Sequence, residues 1–230
     1  LGDLEKMILA EGPDTVMAFM AEPVAAGGGV VVPPAGYYKK LQPLLEKYDI
    51  LFLADEIVTG FGRTGNMFGC QTFGIRPAAL TMGKGLTGAY QPVAAIALRG
   101  DIYDVIAQAS GGLGSFAHGT TYSGFPAGAA VAVRALQLME SRDLVGHVRK
   151  IIPAFTGRLK ALEKSPLVLE TRGCGLMGAF QLRDDAGLDA TRFKLMAEEQ
   201  GVIVRAVPVG SSLALSPPLI INAAQVHQVF

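Results

Sequence analysis

The chain reads as an α/β protein built on a mostly parallel, doubly wound sheet covered on both faces. Three observations predict this. Short apolar runs at residues 15–22, 50–55, 79–82 and 93–98 have strand length, a helical pattern intervenes between the first two, and half of the 230 residues are hydrophobic against 17% charged. Ligands of such sheets bind outside the carboxyl ends of the strands. Chemistry-bearing residues at those ends are therefore the first candidates for a site.

In chain order, Thr15 to Glu22 reads as a buried strand, and Pro33-Pro34 opens a helix that runs to Tyr48, because proline's fixed φ suits a first helical turn. Ile50 to Asp55, Ala79 to Met82 and Val93 to Leu98 supply three further strands. At Pro126 the texture changes. Ala127 to Glu140 is a helical run of small and apolar residues, Asp143 to Glu163 a second helix, and Leu176 to Leu182 a strand. Ala190 to Gln200 then reads as a helix and Val202 to Arg205 as a strand. The expected division is residues 1–125, part of a large domain, and residues 126–230, a smaller C-terminal α/β domain with a linking helix.

Composition excludes several classes of function. Lys plus Arg equals Asp plus Glu at 20 each, with the cations scattered, which speaks against nucleic acid or an anionic membrane surface as partner. No stretch reaches the ~18 uninterrupted apolar residues of a membrane span. The opening Leu1-Gly2-Asp3-Leu4-Glu5-Lys6 lacks the basic-then-apolar order of a secretory signal. Cys70 and Cys174 match no metal spacing and the three histidines are far apart, so no metal site is expected. Reduced, buried thiols and a cytoplasmic location are the expectation.

Two residues carry the chemistry. The apolar run Ile50-Leu51-Phe52-Leu53-Ala54 ends abruptly in Asp55, and Lys84 follows 29 positions later between two glycines in Thr81-Met82-Gly83-Lys84-Gly85. A strand-end acid and a strand-end lysine are what a pyridoxal phosphate site needs: the amine forms a Schiff base, and the acid keeps the pyridine nitrogen protonated. The flanking glycines let backbone approach a bulky ligand. Taken singly, Asp55 also reads as a turn former and Lys84 as a solvated loop residue.

A resemblance adds to this. Asp55-Glu56-Ile57-Val58-Thr59-Gly60-Phe61-Gly62-Arg63-Thr64-Gly65 resembles the signature of the class III aminotransferases, which are fold type I pyridoxal phosphate enzymes. Ala21-Glu22-Pro23-Val24, Gly83-Lys84-Gly85-Leu86, His118-Gly119-Thr120-Thr121-Tyr122-Ser123-Gly124 and Leu215-Ser216-Pro217-Pro218-Leu219-Ile220-Ile221 match the same pattern in order and approximate spacing. Members of that family carry a Gly-Ser-rich phosphate-binding turn and a ring-stacking aromatic in an N-terminal portion. Neither precedes Leu1, so the sequence is read as an incomplete portion of a longer chain.

The resemblance implies roles. Lys84 would hold pyridoxal 5'-phosphate and shuttle a proton, and Asp55 would pair with the pyridinium nitrogen. Ile57, two positions along the strand direction, would pack on the ring, although ordinary core is nearly as good a reading. Thr121, or its neighbour Thr120, would bind the cofactor phosphate across a homodimer interface, so that two chains build each site. Arg205 matches a mobile arginine that binds a substrate carboxylate and swings aside for an apolar amine. Its competing reading is a surface ion pair. His118 and Arg172 are read as turn or structural residues rather than catalytic ones.

Two departures narrow the substrate. The ornithine subgroup of the family carries a glutamate at the position of Gly27 and an arginine at that of Ala214, which work as a pair. Their joint loss is read as disfavouring ornithine or γ-aminobutyrate and favouring an ω-amino acid or amine donor with pyruvate. The rivals are a glutamate-semialdehyde-type aminomutase, whose pattern usually lacks Gly62-Arg63-Thr64-Gly65, and a non-catalytic remnant of the fold.

Overall fold

The structure, a computed structural model, describes residues 1–207 and 210–230. Strand β1 (Ala18–Ala21) is preceded by helix α1 (Gly2–Glu11) and followed by helix α2 (Tyr37–Lys47). Strand β2 (Leu51–Asp55), the short helix α3 (Gly69–Phe73) and strand β3 (Ala79–Met82) come next, then strand β4 (Ala95–Leu98) and helix α4 (Gly100–Leu113). The sheet runs β1-β2-β3-β4, with β1, β2 and β3 parallel and β4 antiparallel to β3. The link from β3 to β4 folds back through a 3-10 turn at Lys84–Leu86 rather than crossing over by a helix, and the direction reverses accordingly.

Alternation sets which face is core. Phe52 and Ala54 of β2 are buried, and Phe52 packs with Tyr38, Leu41 and Leu45 of α2 and with Ile8 of α1. The opposite face, which carries Met20 and Ile96, is open in the described chain; Ile96 is 66% exposed. Helices α1 and α4 fall where no helix is expected. The helix expected from Pro33-Pro34 begins only at Tyr37, after Gly36 at φ 77°.

The second part opens with helices α5 (Pro126–Ser141) and α6 (Leu144–Ala161). Asp143 caps α6 rather than joining it, accepting the Gly146 amide at 3.1 Å. Strands β5 (Val168–Cys174) and β6 (Met177–Leu182), helix α7 (Ala190–Glu199), strands β7 (Arg205–Val207) and β8 (Ser212–Leu215) and helix α8 (Ala223–Val229) complete it. All pairings are antiparallel, in the order β5-β6-β8-β7. Phe155 and Leu159 of α6 pack on this sheet beside Phe180, Leu182 and Leu213. Gly173 and Gly178 are register partners. A Cβ on them would lie 2.8 and 2.6 Å from Leu159 Cδ2, so the glycine pair forms the notch that admits Leu159.

Two expectations are corrected. Residues 202–204 belong to no strand, and Arg205 opens a strand instead of closing one, because pairing with β8 starts at Arg205↔Ala214. Arg172 lies inside β5, paired with Ala179, not in a turn. Strand β5 is not visible as an apolar run because Glu170, Thr171, Arg172 and Gly173 interrupt it, and β8 is only four residues long. The mostly parallel first sheet is as expected.

Candidate active site

The site begins where β2 stops. Asp55 is half-buried, and its Oδ1 accepts the Ile57 amide at 3.0 Å, which turns the chain sharply after the strand. Its other oxygen has no protein hydrogen bond among the described residues. Glu56 next to it goes the other way, into the fold, and is fully buried. Glu56 Oε2 accepts from the Gly69 amide at 2.8 Å and from Thr59 Oγ1 at 2.5 Å, while Oε1 accepts from the Cys70 amide at 2.6 Å. A buried carboxylate with three donors and no cation is tolerable because the unpaired amides opening α3 supply the compensation. Residues 56–70 are wound around that one side chain. Glu56 is a framework residue that sequence reasoning missed; an acid directly after the strand-end acid was the available signal.

Lys84 is placed by crowding. Its φ of 41° lies in the left-handed region, and Phe61 sits there too at φ 57°. For non-glycine residues such geometry costs about 1–3 kcal/mol and persists where surrounding packing imposes it. Here the packing is explicit: a Cβ on Gly85 would fall 2.8 Å from the Phe61 Cβ. The peptide after Lys84 lies directly on Phe61, and Phe61 with Leu86 is held by Met139 of α5. Lys84 is itself exposed.

Arg63 ties this loop to the second sheet. Its guanidinium donates to the Leu176 carbonyl at 3.0 Å and the Pro217 carbonyl at 2.6 Å, and the Leu176 amide returns a bond to the Arg63 carbonyl at 2.9 Å. Burial pushes the guanidinium down to about 10, which still leaves it charged at neutral pH. A Cβ on Gly175 would collide with the Arg63 carbonyl, so only glycine permits the approach. Arg63 also lies outside what sequence reasoning assigned, because its partners are distant in the chain.

Between the two sheets lies a cavity of about 620 Å³. Asp55, Ile57, Lys84 and Arg205 all line it, together with Glu22, Gly27, Ala214 and Ser216. Four of the five residues singled out from sequence are thus brought together. Thr121 is not: it lies in an exposed turn at 121–124, where the hydrogen bonds belong to Thr120, whose amide and hydroxyl meet Ser123 Oγ at 3.0 and 2.9 Å. Arg205 is exposed and has no carboxylate within salt-bridge distance among the described residues, which removes the surface ion pair as its explanation there. Gly27 and Ala214, the two departures, line the same cavity, and Ala214 is the register partner of Arg205.

These residues fit the ring end of pyridoxal phosphate. An amine, a carboxylate with one uncommitted oxygen and the apolar flank of Ile57 and Val58 share one cavity. No cluster of three or more His, Cys, Asp or Glu suited to a metal occurs among the described residues.

The aminotransferase class-III family matches residues 1–230. The chain is 43% identical to a probable gamma-aminobutyrate transaminase 3, mitochondrial, of Oryza sativa subsp. indica, over 99% of this chain and 46% of that protein. It is 42% identical to the uncharacterized aminotransferase y4uB of Sinorhizobium fredii, over 99% of this chain and 51% of that one. Among solved structures, a transaminase with L-Ala superposes with a TM-score of 0.94 at 43% identity, over 99% of this chain and 55% of that one. The omega transaminase of Pseudomonas jessenii in complex with PMP superposes equally well, at 0.94 and 42% identity, over 98% of this chain and 51% of that one. The chain spans about half the length of the relatives it matches. The matched family and the shared fold lead to one conclusion: this chain belongs to the class-III aminotransferases.

Proposed function

We propose that the whole protein is a transaminase that moves an amino group from an ω-amino acid or amine to pyruvate or another keto acid, using pyridoxal 5'-phosphate held by Lys84. The observation that carries this is the convergence of Lys84, Asp55 and Arg205 on one cavity. When bound, the cofactor supplies an electron sink that lets the Cα–H bond of an attached amine break near neutral pH. Lys84 would hold the cofactor, and its amine, when free, would take up and return a proton at the substrate Cα. Asp55 keeps a proton on the ring nitrogen with the oxygen that Ile57 leaves uncommitted. Ile57 and Val58 exclude water from one side of the cavity. Arg205 grips a carboxylate with its planar fork and, having no carboxylate partner among the described residues, turns aside for an apolar amine at little cost.

Gly27 and Ala214 are read as disfavouring both ornithine and γ-aminobutyrate. The 43% identity to a probable gamma-aminobutyrate transaminase speaks against the second half of that reading, so γ-aminobutyrate is kept among the proposed donors and only ornithine is disfavoured. We also propose a homodimer in which Thr121 of one chain meets the phosphate in the other, supported by its exposure away from its own cavity. A cytoplasmic location is proposed from the two free cysteines, Cys70 and Cys174.

The test is spectroscopic and kinetic. The full-length protein should take up pyridoxal phosphate with a visible absorbance band that Lys84→Ala abolishes, and borohydride should fix the added mass on Lys84. Alanine, β-alanine, γ-aminobutyrate and an aryl amine should turn over with pyruvate faster than ornithine does. A trapped mass on another residue refutes the assignment of Lys84, and brisk ornithine turnover refutes the use made of Gly27 and Ala214.

A further inference from the structure

The cavity wall that carries Gly27 belongs to neither sheet. It is a tight hairpin, residues 25–31, closed by the mutual bonds Ala25 N to Val31 O at 3.1 Å and Val31 N to Ala25 O at 3.0 Å. Its base is held from the first sheet, where Glu22 Oε2 accepts the Ala26 amide at 3.1 Å and the Tyr38 hydroxyl donates to the Glu22 carbonyl at 2.8 Å. From the second sheet it is held by the apolar packing of Val30 with Met177 and Ala179, and its tip receives side-chain hydrogen bonds from Arg172. Arg172 Nε donates to the Gly29 carbonyl at 3.1 Å, Nη2 donates to Ser212 Oγ at 3.0 Å, and Nη1 donates to Gln181 Oε1 at 3.2 Å and to Glu170. Gly29 is at φ 98°, and a Cβ there would lie 3.2 Å from Arg172 Nη2. Tip and guanidinium are therefore in direct contact.

Ser212 closes the circuit. It is fully buried on β8, it is the register partner of Val207 on β7, and the same two strands carry Ala214 and Arg205. One guanidinium thus binds the hairpin that bears Gly27 and the strand pair that bears Arg205. Both walls line the same cavity, and Arg172 does not.

We propose that Arg172 is a positioning residue for substrate selection: it locks the Gly27 hairpin to the strands that carry Arg205 and so sets the width of the pocket between them. A guanidinium suits the task because it offers five donors in a rigid plane, which a lysine cannot reproduce. With the lock removed, only the apolar packing of Val30 and the contact of Gly29 with Val207 keep the hairpin against the second sheet, and its tip can shift relative to β7 and β8. The pocket then loosens, a carboxylate is gripped less well by Arg205, and a bulky amine is admitted more easily. Misplacement on the ångström scale at a binding wall carries rate effects of up to about 100-fold.

This rests on the transaminase reading, and the experiment separates the two. Arg172→Met and Arg172→Lys would be made in the full-length holoenzyme. The quantity read is kcat/KM for β-alanine divided by that for a bulky aryl amine, both with pyruvate, alongside thermal stability and the cofactor absorbance. The expected result is a ratio lower by about threefold or more in Arg172→Met, smaller but in the same direction in Arg172→Lys, with the absorbance band kept. Ser212→Ala, which removes one bond of the circuit, should shift the ratio the same way and covers the case in which Arg172→Met does not fold. A lowered melting temperature with an unchanged ratio in the folded variants would show a merely structural arginine and overturn the proposal. Absence of the absorbance band from the unmodified protein would instead overturn the transaminase reading.

Discussion

Glu56 and Asp55 are adjacent acids put to opposite uses, and that contrast lends itself to direct test. Glu56 is buried with three donors converging on it, whereas Asp55 faces the cavity with one oxygen uncommitted. Glu56→Ala leaves the Gly69 and Cys70 amides and the Thr59 hydroxyl without an acceptor, and the expected loss is at least about 3 kcal/mol, read from denaturant unfolding. Glu56→Gln retains an acceptor and should lose less; losses equal to those of Glu56→Ala would mean that the retained oxygen contributes nothing. Cys70, beside it, makes the fold sensitive to alkali. Burial, reinforced by the Glu56 charge, pushes its thiol up from the ordinary value of 9.0 to about 11. The unfolded chain therefore ionises first: the thiol's contribution is intact below pH 9 and is lost as pH rises towards 11. Melting temperatures across that range should fall less steeply in Cys70→Ala than in the unmodified protein, and parallel curves would exclude Cys70 as the cause.

Among the elements, the antiparallel pair β7 and β8 carries Arg205 and Ala214, the residues on which the proposed substrate recognition rests. Arg205 and Ala214 stand opposite each other in that pair, so an arginine on either strand would reach the same region. In this chain only the β7 position carries a cation. Arg205→Ala is expected to reduce kcat/KM for an acidic substrate by about 10- to 100-fold, the range of one lost charge-assisted contact, and to change an apolar amine by less than about twofold. Steady-state kinetics with β-alanine and an aryl amine measure this. Equal loss for both would remove Arg205 from substrate binding. The short 3-10 turn after β3 does the complementary work of presenting Lys84, since Gly85 is pinned against Phe61 and leaves the lysine backbone no alternative course.

At the scale of the molecule, two sheets share one cavity and are tied by Arg63, which reaches from the loop after β2 to the carbonyls of Leu176 and Pro217. Thr121 falls on the outside of this arrangement, which makes the proposed two-chain site testable by complementation. Mixed dimers of Lys84→Ala and Thr121→Ala chains would contain one site with both defects and one with neither. Their cofactor affinity and activity should recover to roughly half of the unmodified enzyme per dimer, by simple counting of intact sites. No recovery in purified mixed dimers would place Thr121 in its own chain's site, and a Thr121→Ala homodimer as active as the unmodified enzyme would place it in none.

Asp55 and Lys84 are legible in the chain alone because each is the end of a strand, and a strand end is written in its immediate neighbours: an apolar run, then a polar residue or a glycine. Ala79–Met82 and the parallel pairing around it are legible for the same reason. Glu56, Arg63 and Arg172 are different. Arg63 meets carbonyls 113 and 154 positions away, and Arg172 meets one 143 positions away, so their work depends on contacts that no local pattern encodes. The same holds for β5, whose Gly173 reads as a break until Leu159 is seen filling the notch that it forms with Gly178 of β6. Neighbouring residues dictate backbone direction and chemical type; which distant donor meets which acceptor is settled only when the two sheets close on each other and burial makes every unpaired polar group costly.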